Sequence, residues 1–266
     1  PSSAASDVYK RQRVALFQNK MTDAANYAEA VLANSSFSLA STAMDFSKNW
    51  VAGSSSPEII FAYVNNSRAS SPLNFTLYVN DTDGSWNYAP SDWCYNSLFA
   101  DDNTLSRKGD VRLKATFTSQ DANRVIKYPN GTYQLAETSD YTCTPVVISR
   151  ISEMYLIKAE ALGKTNGAAA LVEYMKKRYT TAPSEAAIKA LSDKEYQTLI
   201  LDERRREFYA EGMRWQDIKR TNRLELLETL DGRTYLMYYP IPQDEIDMAG
   251  TVAYPQNPGY AGYTGN

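Results

Sequence analysis

Apolar residues recur at helical spacing in two blocks of this 266-residue chain, and the long stretch between the blocks lacks that rhythm. From Val8 to about Gln18 the pattern is helical, and Asn19-Lys20-Met21 breaks it. Thr22 is placed to cap a second helix, on which Ala24, Tyr27, Ala28 and Val31 share one face. Two short helices joined this closely form an αα-hairpin. The rhythm returns at Ile151. Met154, Tyr155, Ala159 and Leu162 make one stripe, Gly163 to Gly167 predict a turn, and Leu171, Tyr174, Met175 and Arg178 continue on a second helix. Ser192-Asp193-Lys194-Glu195 has the S-x-x-E form of a capping box. It opens a helix expected to run until Gly212 closes it in the left-handed conformation. Trp215 and Ile218 begin a further helix, reaching about Leu230.

Residues 41–145 differ in texture. They are rich in Ser, Asn, Asp and aromatic residues, Ser54-Ser55-Ser56-Pro57 marks a turn, and only short runs such as Ile59 to Val64 look like strand. Paired helices on both sides of such a middle predict a mainly α chain. Its expected form is a tetratricopeptide-like helical-repeat scaffold carrying a long, irregular, loop-rich insertion. The expected layout is a single domain over 1–266, with a helix pair at 8–40, the insertion at 41–145, scaffold helices at 146–232 and a C-terminal strap at 233–266. In that strap Tyr235 to Ile241 reads as extended, Pro240 and Pro242 stop the strand, Gln243 to Asp247 read as one helical turn, and Asn257-Pro258-Gly259-Tyr260 is a turn.

Composition removes whole classes of chemistry. The chain has no histidine, so no Ser-His-Asp or Cys-His nucleophile, no HExxH site and no His-held metal can be built. Carboxylate pairs, lysine or an oxygen-held metal remain. Cys94 and Cys143 are the only cysteines, and they either pair in an exported protein or stay as two buried thiols. No apolar run approaches the ~18 residues of a membrane span, and the first residues given do not read as a charged n-region followed by an apolar stretch. The net charge of −3 gives no global pull toward nucleic acid or an anionic membrane. Tyrosine, with 20 copies, is in excess, which suits wet interfaces or a ligand surface built on stacking.

The stretch RRREFYAEGMRWQDIKR, residues 204–220, could be a nucleic-acid patch, an acid/base site or scaffold. On a helix Glu203, Glu207 and Glu211 stack along one face with Arg204 and Arg206 beside them. The charges nearly cancel, against the uncompensated positive charge that nucleic-acid binding requires. Carboxylates interleaved with arginines are also held ionised, which does not suit a general acid. A charge network that locks helices together, with Phe208, Tyr209 and Trp215 packed around it, fits better.

The same stretch resembles the C-terminal helix motif of the SusD/RagB family, through Arg204, Arg205, Arg206, Glu207, Glu211, Gly212 and Trp215. Three other stretches agree with that family in order and spacing. They are Ser149 to Ala161 (R-x-x-E-x-x-L-x-x-A-E-A), Tyr239 to Ile246 (Y-P-I-P-x-x-E-I) and Asn257 to Tyr260 (N-P-G-Y). Gly109-Asp110-Val111-Arg112 is similar to a family Asp-x-Arg element and is expected to form an ion pair at the base of the insertion. The resemblance covers the chain from about residue 14 to its end. It implies four tetratricopeptide-like helix pairs and no catalysis; no cofactor and no metal are expected. It further implies a surface-exposed lipoprotein of the cell outer membrane that hands glycans, or in some members peptides, to a SusC-like TonB-dependent transporter. The arginine motif is scaffold in that family. Residues 1–12 have no likeness to it, and the chain is expected to be N-terminally incomplete, with the lipid anchor, the signal peptide and the first helix pairs absent from it.

The densest aromatic cluster lies at residues 77–97. Trp86, Tyr88, Trp93 and Tyr95 sit there among Asn80, Asp81, Asp83, Asn87 and Asp92. A sugar stacks its C–H face on such rings and offers its hydroxyls to short amides and carboxylates. Asn80, Asp83, Trp86, Asn87, Tyr88, Trp93 and Tyr95 are therefore the candidate ligand residues, while the competing reading has these rings filling the insertion's own small core. Asp81-x-Asp83-Gly84 lacks the later ligands of a calcium loop and reads as a polar turn. Peptide capture on the same scaffold is the alternative function, and a carboxylate-pair glycoside hydrolase the remote one.

Overall fold

The structure is a computed structural model that describes residues 11–51, 56–64, 90–117, 125–128, 144–227, 230–249 and 255–261. The chain divides between Glu211 and Gly212 into two compact units.

In the first unit, α1 (11–17) and α2 (Met21–Leu32) form the N-terminal hairpin, turned at Asn19 with φ 58°. Lys20, not Thr22, occupies the capping position of α2, and it makes no side-chain cap; the chain leaves the left-handed turn directly into helix. Ala24, Ala28 and Val31 pack with Ala15 and Leu16 against Ile151, Met154 and Ile157 of α5 (Ile151–Arg178). Alanine at the first two positions lets the helices approach closely.

α5 is two helices in sequence, because Gly163, at φ 67° and ψ 176°, breaks it sharply. The predicted five-residue turn is thus a single-residue kink, and the helix resumes at once. Gly167 explains how closely the two limbs fold together. A Cβ there would lie 2.2 Å from the carbonyl oxygen of Ala159, which also accepts a 2.8 Å hydrogen bond from Tyr196 Oη. α6 (Glu185–Lys189) and α7 (Asp193–Glu207) complete this layer. Ser192 and Glu195 close a reciprocal capping box at the start of α7.

The described parts of 41–145 are bound into this scaffold. α3 (Ala43–Ser47) and a 3-10 turn at Lys48–Trp50 bury Phe46 and Trp50 beside Tyr128. β1 (Ile59–Tyr63) pairs antiparallel with β3 (Val146–Arg150), and β2 (Lys108–Asp110) with β4 (Tyr179–Thr181). α4 (Val111–Thr116) is capped by Asp110, whose carboxylate accepts from Arg112 N at 2.9 Å.

α7 ends at Glu207, five residues before the predicted stop. Its last carbonyls are taken by buried side chains instead of a further turn. Lys127 Nζ donates to the carbonyls of Glu207 and Tyr209 at 3.1 and 2.9 Å, Arg150 Nη2 to Glu207 at 3.0 Å, and Tyr128 Oη to Ala210 at 2.9 Å. Cations at a helix C-terminus satisfy both its orphan acceptors and its dipole. Gly212, at φ 77°, opens the next helix instead of closing this one.

In the second unit, α8 (Met213–Thr221) stops at the left-handed Asn222, short of the expected Leu230. A left-handed Asn supplies the same exit as a glycine cap. Thr234–Met237 is a 3-10 turn where extended chain was expected, its backbone hydrogen bonds made locally. Beyond it, Asn257 Nδ2 donates to the carbonyl of Tyr239 and Tyr260 Oη to that of Tyr238, at 2.7 and 2.6 Å. Gln256 bonds both backbone groups of Ile241. The N-P-G-Y turn therefore clamps the Y-P-I-P segment, and α9 (Gln243–Met248) follows it.

Candidate functional site

Glu207, the last residue of α7, stands at the centre of a buried ionic cluster. Its Oε1 accepts from Arg150 Nη1 at 2.5 Å and Arg178 Nη2 at 2.9 Å. Its Oε2 accepts from Tyr174 Oη at 2.7 Å, Arg178 Nε at 2.9 Å and Arg112 Nη1 at 3.3 Å. Glu58 is bridged by the same arginines, at 2.7 Å from Arg178 and 3.2 Å from Arg150, and also accepts from Ala40 N and Asn49. Glu203 accepts from Arg107, Arg112, Arg206 and Tyr179. Asp110 and Arg112 form the ion pair expected at the base of the insertion, at 2.7 Å. Glu211 accepts from Arg150 and Lys127. Arg204 is buried over the Phe208 ring, 3.9 Å from Glu153, and Arg13 reaches the same carboxylate.

The electrostatics fix what these acids can do. Burial pushes the Glu203 carboxyl upward, but Arg112, Arg206 and Arg107 together outweigh it and hold it at about 2. For Glu207 burial is likewise outweighed, by Arg178, Arg150 and Arg112, and its carboxyl lies well below the usual range. Both stay ionised, whereas a glycosidase acid must keep its proton near neutral pH. Burial brings the Lys127 amine down to about 8, against the pull of Glu211. Leaving aside the flanking Arg13, Arg204 and Glu153, the five carboxylates Glu58, Asp110, Glu203, Glu207 and Glu211 and the six cations Arg107, Arg112, Lys127, Arg150, Arg178 and Arg206 nearly neutralise one another, and each is hydrogen-bonded, so the cluster acts as a lock between distant segments.

The outward-facing feature lies beside this lock. Residues 92–93 are helical and Cys94–Leu98 form a π-helix, a form often found at functional sites. Cys94, Leu98 and Phe99 face inward onto Phe117 and Val125. Trp93 faces outward and is 46% exposed, with the Arg205 guanidinium 4.6 Å from its ring centroid. Arg206 Nε donates to the carbonyl of Leu98 at 2.5 Å, tying the other end of the segment to α7.

Of the candidate ligand residues, Trp93 is described fully and Tyr95 lies in the π-helix backbone. Asn80, Asp83, Trp86, Asn87 and Tyr88 lie outside the described residues, as do Asp81 and Cys143. Cys94 is buried. Trp215, on α8 of the second unit, is 36% exposed. Among the described residues no His, Cys, Asp or Glu group gathers as a metal site, and no described helix is long and apolar enough to cross a membrane. Sequence reading missed Glu58, Arg178 and Tyr174 as members of the lock. Their only local signal was a charged or polar residue beside an apolar run.

Residues 99–234 match the sequence profile of the SusD family. The chain belongs to the SusD family. The SusD-like protein P38 of Formosa agariphila is 30% identical over 142 residues, 48% of this chain and 27% of that relative. A SusD superfamily protein from Bacteroides thetaiotaomicron superposes with a TM-score of 0.65 at 24% identity, over 96% of this chain and 60% of the other. A structure described as a laminarin-binding SusD-like protein superposes with a TM-score of 0.62 at 21% identity, over 97% and 63%. The SusD chain described here therefore spans about a quarter of the curated relative and under two thirds of these solved chains. The mainly helical, tetratricopeptide-like scaffold is common to them.

Proposed function

We propose that this SusD-family chain is a non-catalytic glycan-capture component of an outer-membrane nutrient-uptake complex. On this reading it sits at the cell surface and passes oligosaccharide to a SusC-like TonB-dependent transporter. The observation that carries the reading is Trp93, an indole left nearly half exposed on a segment that is otherwise locked to the scaffold. Exposed rigid aromatics are costly to solvate and well suited to the C–H face of a sugar. The laminarin-binding protein of the same fold supports the ligand class, and the ionised, buried state of Glu203 and Glu207 supports capture over hydrolysis.

The test is affinity electrophoresis of the purified chain through gels containing laminarin, amylopectin, xylan, pectin or alginate. Retardation by one of these is expected, with Trp93→Ala weakening it about tenfold, a loss of ~1.4 kcal/mol. Retardation unchanged by both Trp93→Ala and Trp86→Ala would remove the proposed site. Binding of extended peptides with no retardation by any polysaccharide would replace glycan capture with peptide capture.

A further inference from the structure

The geometry points to Arg205 as a positioning residue that holds Trp93 as a preformed platform for a sugar ring, an inference that rests on the glycan-capture reading. Three arginines in a row cannot face one core, because successive residues of an α-helix point about 100° apart. Arg204 turns inward onto Phe208 and Glu153, and Arg206 turns inward to Glu203 and the carbonyl of Leu98. Arg205 is left between them, half-buried on the flank where the 92–98 segment crosses α7, with its guanidinium 4.6 Å from the Trp93 ring centroid. A guanidinium over an indole is an attractive and geometrically specific contact. It engages the ring while almost half of the Trp93 surface stays open to solvent. The neighbouring contact from Arg206 fixes the main chain of the same segment one turn further on, so ring and backbone are both held before any ligand arrives. A side chain already held in its binding rotamer does not lose that freedom on association, which strengthens binding.

The test combines a ligand-independent readout with affinity. In protein labelled with 5-fluorotryptophan, the Trp93 fluorine resonance is assigned with Trp93→Phe. Arg205→Ala is expected to shift and narrow that resonance while leaving that of the buried Trp50 unchanged, and Arg205→Lys, which keeps a cation, to move it less. In the polysaccharide gels Arg205→Ala is expected to weaken retardation three- to tenfold and Arg205→Lys less than twofold. Added to Trp93→Ala, Arg205→Ala should cause no further loss. A Trp93 resonance indifferent to Arg205→Ala overturns the proposal whether or not a polysaccharide is found. A platform loosened without loss of affinity overturns it too. If Trp93→Ala itself leaves affinity intact, Trp93 is no platform and the positioning role of Arg205 falls with it, whereas the glycan-capture site is removed only if Trp86→Ala is silent as well.

Discussion

At the residue scale, the three arginines of α7 show how neighbouring side chains of one type acquire different tasks. Arg204 and Arg206 lie within the packed interior and Arg205 on a half-open flank, and only the rotation of the helix separates them. Glu207 is the most heavily used carboxylate, accepting from three arginines and a tyrosine at the junction of α7, α5 and β3. Glu207→Gln keeps the shape and removes the charge, so Arg178 keeps its burial and loses its main counter-ion, while Arg150 and Arg112 each lose one of several. Leaving buried charge uncompensated costs roughly 3–5 kcal/mol. The urea midpoint of the variant should fall accordingly, and an unchanged midpoint would mean that Glu58, Glu211, Asp110 and Glu203 balance these arginines without Glu207.

At the element scale, helix ends in this chain are set by tertiary partners as much as by local signals. The capping box at Ser192 was legible because both its members lie within one turn. The end of α7 was not, because Lys127, Tyr128 and Arg150, which take its final carbonyls, come from elsewhere in the chain. The fold-back within α5 was legible at Gly163 as a breaker, yet the need for Gly167 is a matter of contact with Ala159. Gly167→Ala would force backbone against Cβ at 2.2 Å, so a loss of about 1–3 kcal/mol from overpacking is expected. Thermal unfolding of that single variant is sufficient to check it, since a helical glycine without such a contact would gain stability on the same change.

At the scale of the whole molecule, the ionic lock ties the segments around Glu58, Arg112, Lys127, Arg150, Arg178 and Glu207 into the first unit, and its charge state governs stability in acid. Glu203 has a folded pKa of about 2 against an ordinary 4.5. Its depressed value means that the stabilisation is complete above about pH 5 and is lost as pH falls toward 2, a contribution of about 3 kcal/mol. Glu207 acts in the same direction. Urea midpoints should therefore fall steadily from pH 5 to pH 2.5, and a flat profile over that range would contradict the lock. The sequence by itself determined the helical pairing, the family likeness and the exclusion of histidine chemistry, because periodicity, ordered motifs and composition are properties of the linear chain. It also showed that charges of both signs alternate around Glu207. Only the tertiary structure decided which cations meet which carboxylates, where α7 stops, and that Arg205 lies over Trp93. Those outcomes depend on residues such as Glu58 and Arg178, 120 positions apart, which meet only when the chain has folded and water has been excluded between them.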